Sequence, residues 1–161
     1  MSESHYRTAE MCRNGHHTTS SAEISPELRS KFCPECGEAT FTNCRHCNNR
    51  IRGHYYVPGF IGFSKWTPPN YCHGCGKPYP WTEQRLASAS EMADEIEELS
   101  PQEREQLKRS ISDLGSDSPR TELAASRYAK LRKKMGATAS STLDKVVGVL
   151  ATAAVKSTLG I

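Results

Sequence analysis

The sequence predicts a small α+β protein: two zinc ribbons of short β hairpins and knuckles over residues 1–81, then an all-α helical bundle of about four helices over residues 82–161. Three observations predict it. All seven cysteines fall between Cys12 and Cys75, six of them in Cys-x-x-Cys pairs. Hydrophobic residues make up only 36% of the chain, so one large apolar core is out of reach and the first half needs another source of folding free energy. From Thr82 onward cysteine disappears, proline becomes rare, and Glu, Ala, Leu, Lys and Ser take over.

The first half is organised by its ligand pairs. Cys33/Cys36, Cys44/Cys47 and Cys72/Cys75 are joined by a fourth pair, Cys12/His16, in the run Cys12-Arg-Asn-Gly-His16. Zinc takes four ligands in a tetrahedron, from thiolate sulfur and imidazole nitrogen. Eight ligands therefore predict two structural zinc ions per chain. One would be held by three cysteines and a histidine, the other by four cysteines. The spacing has a mechanical reason: a tight turn brings both sulfurs to one side, and a glycine beside it accepts the positive φ such turns need. Gly37 and Gly76 follow two of the pairs, and Gly15 precedes His16. His17 is the rival eighth ligand; Gly15 favours His16. Each site is closed, with no position left for water or substrate, so neither is expected to be catalytic.

A disulfide framework is the competing reading. It requires an oxidising compartment, yet no apolar stretch follows the opening Met-Ser-Glu-Ser-His-Tyr-Arg, and an odd cysteine would remain. Iron–sulfur ligation would need the histidine to replace a thiolate. The expectation is a zinc protein of the cytoplasm.

In chain order, residues 1–10 read as a polar, mobile terminus. Sixteen residues separate His16 from Cys33, enough for a hairpin. Only seven separate Cys36 from Cys44, and twenty-four separate Cys47 from Cys72. Short connections favour sequential pairing: Cys12, His16, Cys33 and Cys36 on one ion, and Cys44, Cys47, Cys72 and Cys75 on the other. The interleaved pairing of cross-brace domains is the alternative. His46 and His73, inside their own pairs, are read as exposed or supporting groups. Between and after the second ribbon's knuckles stand Tyr55, Tyr56, Phe60, Phe63, Trp66, Tyr71, Tyr79 and Trp81. A small ribbon cannot bury all of these. Some are expected to cement the fold and others to form a contact surface.

The helical half has clear punctuation. Thr82 is read as the cap of a first helix reaching about Leu99, with Leu86, Ala89, Ala93 and Ile96 at helical spacing. Ser100-Pro101-Gln102-Glu103 is a capping box with proline at the first helical position. That second helix carries Leu107, Ile111 and Leu114 and stops at Gly115. A third starts at Asp117-Ser118-Pro119, turns Leu123, Ala124, Tyr128, Leu131 and Met135 inward, and ends at Gly136. Ser141 is read as the cap of a last helix from Thr142 to about Leu159, apolar around most of its circumference. Such a helix is buried or forms an interface, and a homodimer contact is one expectation. The most apolar stretch, Val146–Val155, is far short of the ~20 residues a membrane span needs.

The formal net charge is +3, all of it in residues 1–81, where nine Lys/Arg face six Asp/Glu. Seven thiolates and two divalent ions would bring that half close to neutral, which argues against a strong nucleic-acid footprint. The helix-three edge Arg120, Arg127, Lys130, Arg132, Lys133 and Lys134 reads as a solvated face, with phosphate binding as the alternative. No nucleophile elbow, phosphate-cradling loop or His-Glu metal triad is present. His54 is the one loose candidate for acid–base work.

The motif string Cys12-x-Asn-Gly-His16, Phe32-Cys-Pro-x-Cys-Gly37, Cys44-x-x-Cys47, Ile51-Arg-Gly53, Val57-Pro-Gly59 and Tyr71-Cys-x-x-Cys-Gly-x-Pro-Tyr-Pro-Trp81-Thr resembles an uncharacterised bacterial family of two-zinc-ribbon proteins, a domain of unknown function. The likeness runs from about Met11 to the C-terminus and includes Asp117-x-Pro-Arg-Thr121. It implies a bacterial cytoplasmic zinc protein and brings no activity with it. The functional expectation is a non-enzymatic interaction or adaptor protein with a protein partner. The first alternative is a nucleic-acid binder using Arg45, Arg50, Arg52, Lys65 and the helix-three edge. The second is an accessory subunit of an enzyme, RING-like if the pairing is interleaved.

Overall fold

The computed structural model describes residues 3–60 and 65–161. Phe63 lies outside the described residues. The chain forms two compact units, Met1–Thr82 and Glu83–Ile161.

The first unit is built from short antiparallel strands. β1 (His5–Thr8) pairs with β5 (Arg52–Tyr56) in a two-stranded ribbon. β2 (Glu10–Cys12) lies between β3 (His17–Thr19) and β4 (Thr40–Phe41) in a three-stranded sheet. Residues 5–8 are thus ordered, against the expectation of a mobile terminus. Backbone pairing holds them: Ala9 N–H donates to the Ile51 carbonyl at 2.9 Å and Ala22 N–H to Thr8 at 2.8 Å. Gly53 has a steric reason, since a Cβ there would sit 2.0 Å from the Ser20 carbonyl oxygen. The core is small. Ala9, Met11, Ile51, Tyr79 and Trp81 are buried together with Cys44 and Cys72. Glu10 is also buried, and its carboxylate accepts from Arg29 Nε at 2.8 Å, Ser30 N–H at 2.8 Å and Thr18 at 2.9 Å.

Of the aromatic segment, Tyr79 and Trp81 stack at 4.6 Å inside this core, and the Trp81 indole donates to the Pro69 carbonyl at 3.0 Å. Trp66 packs against the cluster, whereas Tyr55 and Phe60 are exposed.

The helices are α1 (Pro80–Asp94), α2 (Pro101–Leu114), α3 (Thr121–Arg132), α4 (Ala137–Leu150) and α5 (Ala153–Leu159). α1 starts two residues before Thr82, whose hydroxyl donates to the Asn70 carbonyl at 2.9 Å rather than capping the helix. It also stops at Asp94, and a series of turns leads to Leu99. The Ser100 capping box is present as read: Glu103 N–H donates to Ser100 Oγ at 3.3 Å and Ser100 N–H to the Glu103 carboxylate at 3.1 Å. α3 begins later than expected because Thr121 takes the local role, receiving Ser118 N–H at 2.9 Å on its hydroxyl and donating to Ser116 at 3.0 Å. Leu123 points outward at 49% exposure, since the buried face is set by Ala124, Tyr128 and Leu131. Gly136 caps the start of α4 rather than the end of α3, which places Ser141 inside a helix.

The expected last helix is two. Ala151 is extended at φ −76°, ψ 152°, and the Thr152 hydroxyl caps α5 by accepting Val155 N–H at 3.4 Å. Leu143, Val147, Leu150, Val155 and Leu159 are buried in this unit's own core with Leu107, Ile111, Leu114 and Tyr128. Much of the apolar surface of the expected last helix is therefore used internally, while Val149 stays exposed. One polar cluster pins α3 to α4: Asp144 accepts the Tyr128 hydroxyl at 2.9 Å and pairs with Arg132 at 2.6 Å. Arg132 also donates to the Leu159 carbonyl at the end of α5, at 3.2 Å.

Candidate metal centres

Three knuckles repeat one backbone pattern. Cys33, Cys44 and Cys72 each donate a backbone N–H to the carbonyl five residues on, in Glu38, Asn49 and Lys77, at 2.8–2.9 Å. Each also accepts from Gly37, Asn48 and Gly76 respectively, again at 2.8–2.9 Å. The latter three have positive φ, at 74°, 60° and 70°. The fourth turn is tighter: Cys12 N–H donates to the His16 carbonyl at 2.9 Å, and Gly15 sits at φ 87°. Each turn presents two donor atoms to one side, as the sequence spacing requires.

These turns gather two quartets, Cys12, His16, Cys33 and Cys36, and Cys44, Cys47, Cys72 and Cys75, with the donor atoms of each within 4.8 Å of one another. Consecutive pairs combine, so the cross-brace arrangement is not the one adopted. In the first quartet His16 Nδ1 lies 3.6 Å from both Cys12 Sγ and Cys33 Sγ, and Cys12 Sγ lies 3.7 Å from Cys36 Sγ. In the second, Cys44 and Cys75 are 3.9 Å apart and Cys47 and Cys72 3.6 Å. A tetrahedral ion with metal–sulfur bonds of about 2.3 Å and metal–nitrogen bonds of about 2.05 Å needs sulfur–sulfur edges of about 3.8 Å and sulfur–nitrogen edges of about 3.6 Å. The quartets have the size of such a shell and are far wider than a disulfide. All seven cysteines are free thiols. The residues fit a tetrahedral metal ion in each quartet.

Charge supports the same fit. Backbone N–H of Glu38, acting against burial, pulls the Cys36 thiol down to about 6. Burial raises the Cys72 thiol, but the N–H groups of Gly74 and Cys75 outweigh it and bring it to about 6. The Lys77 N–H favours a Cys75 thiolate, yet burial and the sulfurs of Cys47, Cys72 and Cys44 push that thiol up to about 11. Four sulfurs this close cannot all ionise without a cation among them. Asn49 Nδ2 donates to Cys47 Sγ at 3.3 Å and Gly74 N–H to Cys72 Sγ at 3.4 Å, bonds that stabilise the thiolate form. Tyr79, buried in the same cluster, has a hydroxyl with no hydrogen-bond partner among the described residues. Burial, then the nearby Cys72, Cys44 and Cys47, raises its ionisation well above the usual phenol range.

No other histidine among the described residues joins either quartet. His17 is exposed and meets the Trp66 ring edge-on at 5.3 Å. His46 and His73 belong to neither donor set. His16 Nε2 lies 3.6 Å from the exposed Glu35 carboxylate. Of the expected basic residues, Arg45 lies over Phe41 at 4.8 Å and Arg50 faces Glu23 at 3.7 Å. Much of the helix-three edge is neutralised locally: Lys134 pairs with Glu103, Arg120 with Asp113 at 3.1 Å and Arg132 with Asp144. Sequence reasoning missed β1, whose His5, Tyr6 and Arg7 join the β5 aromatics; only their alternation could have signalled it.

Fold and quartets together define a small α+β protein with two Cys/His sites suited to metal. A family model described as "Uncharacterized protein conserved in bacteria (DUF2321)" matches residues 5–159, and the chain belongs to that family. No curated protein and no solved structure gives a significant match. No helix among the described residues is long and apolar enough to cross a membrane.

Proposed function

We propose that this chain is a non-enzymatic binding module in which two structural zinc ions hold a small β scaffold in shape for a macromolecular partner. The observation that carries the reading is that each quartet supplies a full set of four protein donors. A site so filled has no open position for a substrate or an activated water, which is the pattern of structural rather than catalytic zinc. Thiolate-rich sets of mixed sulfur and imidazole favour zinc over oxygen-seeking ions such as magnesium or calcium. Seven cysteines arranged as metal donors and not as disulfide partners suit a reducing compartment, which supports a cytoplasmic location.

The metal supplies folding free energy that the small apolar cluster around Met11, Ile51 and Trp81 lacks. On the surface this stabilises, Ile24, Leu28, Phe32 and Phe60 are all more than half exposed. Exposed apolar side chains on a rigid support suit partner contact.

Native mass spectrometry of protein purified without chelator tests the reading. Two zinc ions per chain are expected, retained through gel filtration. Fewer than two ions, or a coloured iron centre, would overturn it.

A further inference from the structure

The β1–β5 ribbon is rooted in the core, and among the described residues its outer part carries half-exposed rings. Thr8, Ala9, Ile51 and Gly53 are buried at the root. Beyond them the two strands carry aromatic and cationic side chains on both faces. On one face Tyr6 meets Tyr55 at 4.8 Å, and the Arg52 guanidinium lies 4.5 Å over the Tyr6 ring. On the other, His5 meets Tyr56 at 5.4 Å, and the Arg7 guanidinium lies 4.6 Å over the Tyr56 ring. Tyr6 and Tyr55 remain 50% and 48% exposed.

This arrangement does little for folding. Cation–π contacts near the surface contribute weakly, and Tyr6 and Tyr55, half in water, contribute little burial. The charge is also unanswered. Strands β1 and β5 contain no Asp or Glu, and among the described residues no carboxylate pairs with Arg7 or Arg52. By contrast, the neighbouring Arg29 and Arg50 both face acids.

We propose that the tip of this ribbon is a stacking platform for single-stranded nucleic acid. Bases lie on the two guanidinium–aromatic stacks, and Arg7 and Arg52 hold the adjacent phosphates. Charge complementarity selects this occupant. Flat π surfaces interleaved with unpaired guanidinium groups match alternating bases and phosphates. A protein interface instead centres on a water-excluding apolar patch with little charge, and a narrow two-stranded ribbon does not provide one. The inference rests on the reading of the chain as a binding module and names its partner class.

Fluorescence anisotropy with a labelled oligothymidylate of about 15 nucleotides tests it, using metal-loaded full-length protein and, as comparisons, the matching duplex and heparin. Single-strand binding in the micromolar range or tighter is expected at low salt, weaker on the duplex. Tyr6→Ala with Tyr55→Ala is expected to weaken it about tenfold or more, and Tyr6→Phe with Tyr55→Phe to restore it. Arg7→Gln with Arg52→Gln is expected to flatten the log K against log salt slope by about 1.4. Arg127→Gln with Lys130→Gln is expected to change nothing. Absence of oligonucleotide binding, undiminished binding by the Tyr→Ala pair, or binding of heparin or the duplex as tight as that of the single strand overturns the platform. With two metal ions still present, the module reading survives that result and its partner is then a protein. Protein that purifies with fewer than two metal ions per chain instead overturns the module reading itself.

Discussion

Asn48 occupies the place that Gly37 and Gly76 hold in the other two knuckles, with φ at 60°. A Cβ at Gly37 or Gly76 would meet nothing within 4 Å, so the demand is on the dihedral angle and not on space. Asparagine is among the few chiral residues that visit this region cheaply. Asn48→Gly is therefore expected to be near neutral, and Asn48→Val to cost about 1–2 kcal/mol and loosen the second centre. Metal release to a chelator, followed for wild type and both variants, checks the order. At this scale the sequence was partly transparent. Glycines after a second cysteine announce the turn, and the eight donors announce each other through spacing, because knuckle geometry is local. Asn48 announces nothing, since asparagine is ordinary in any loop. Tyr79 was equally opaque: only the fold shows its hydroxyl beside the second quartet.

Among the elements, the junction of β2, β3 and the loop after Pro26 turns on Glu10. Burial would raise its carboxyl, but Arg29, Ser30 N–H and Thr18 hold it below the usual carboxylate range. A carboxyl lowered on folding stabilises the native state at pH values above its unfolded pKa. That contribution disappears as pH falls through the lower, folded value. Glu10→Gln is expected to destabilise the first unit by about 1–3 kcal/mol at pH 7. The gap between wild type and variant should narrow as pH falls toward about 4, followed over the range in which the metal stays bound. Urea unfolding followed by tryptophan fluorescence measures this, because both tryptophans, Trp66 and Trp81, lie in that unit. The capping box at Ser100 and the faces of α1 and α2 were legible, being written in residues three and four apart. β1 was not, because its partner β5 lies far along the chain and a register shift between Tyr6 and Thr8 breaks the alternation. The break between α4 and α5 was hidden too. It falls at Ala151 and Thr152, with neither glycine nor proline to mark it.

At the scale of the whole molecule, the two units draw on different sources of stability. The second has a core of aliphatic side chains, one tyrosine and one methionine, and contains neither cysteine nor histidine. The first has few buried apolar residues and both quartets. Chelation at neutral pH is expected to abolish the native tryptophan emission while most of the helical dichroism persists. Simultaneous loss of both signals would show that the helical unit also depends on metal. Acidification should release the metal likewise, since protons compete for the same sulfurs.

Within each knuckle the leading cysteine is buried and the trailing one stands more open: Cys33 against Cys36, Cys44 against Cys47, Cys72 against Cys75. Each cage thus has a weather side. Peroxide or an alkylating agent arriving from solvent meets Cys36 and Cys75 before any sheltered sulfur. Ageing in air is accordingly expected to start at these two outer sulfurs and to open the cages from the rim inward.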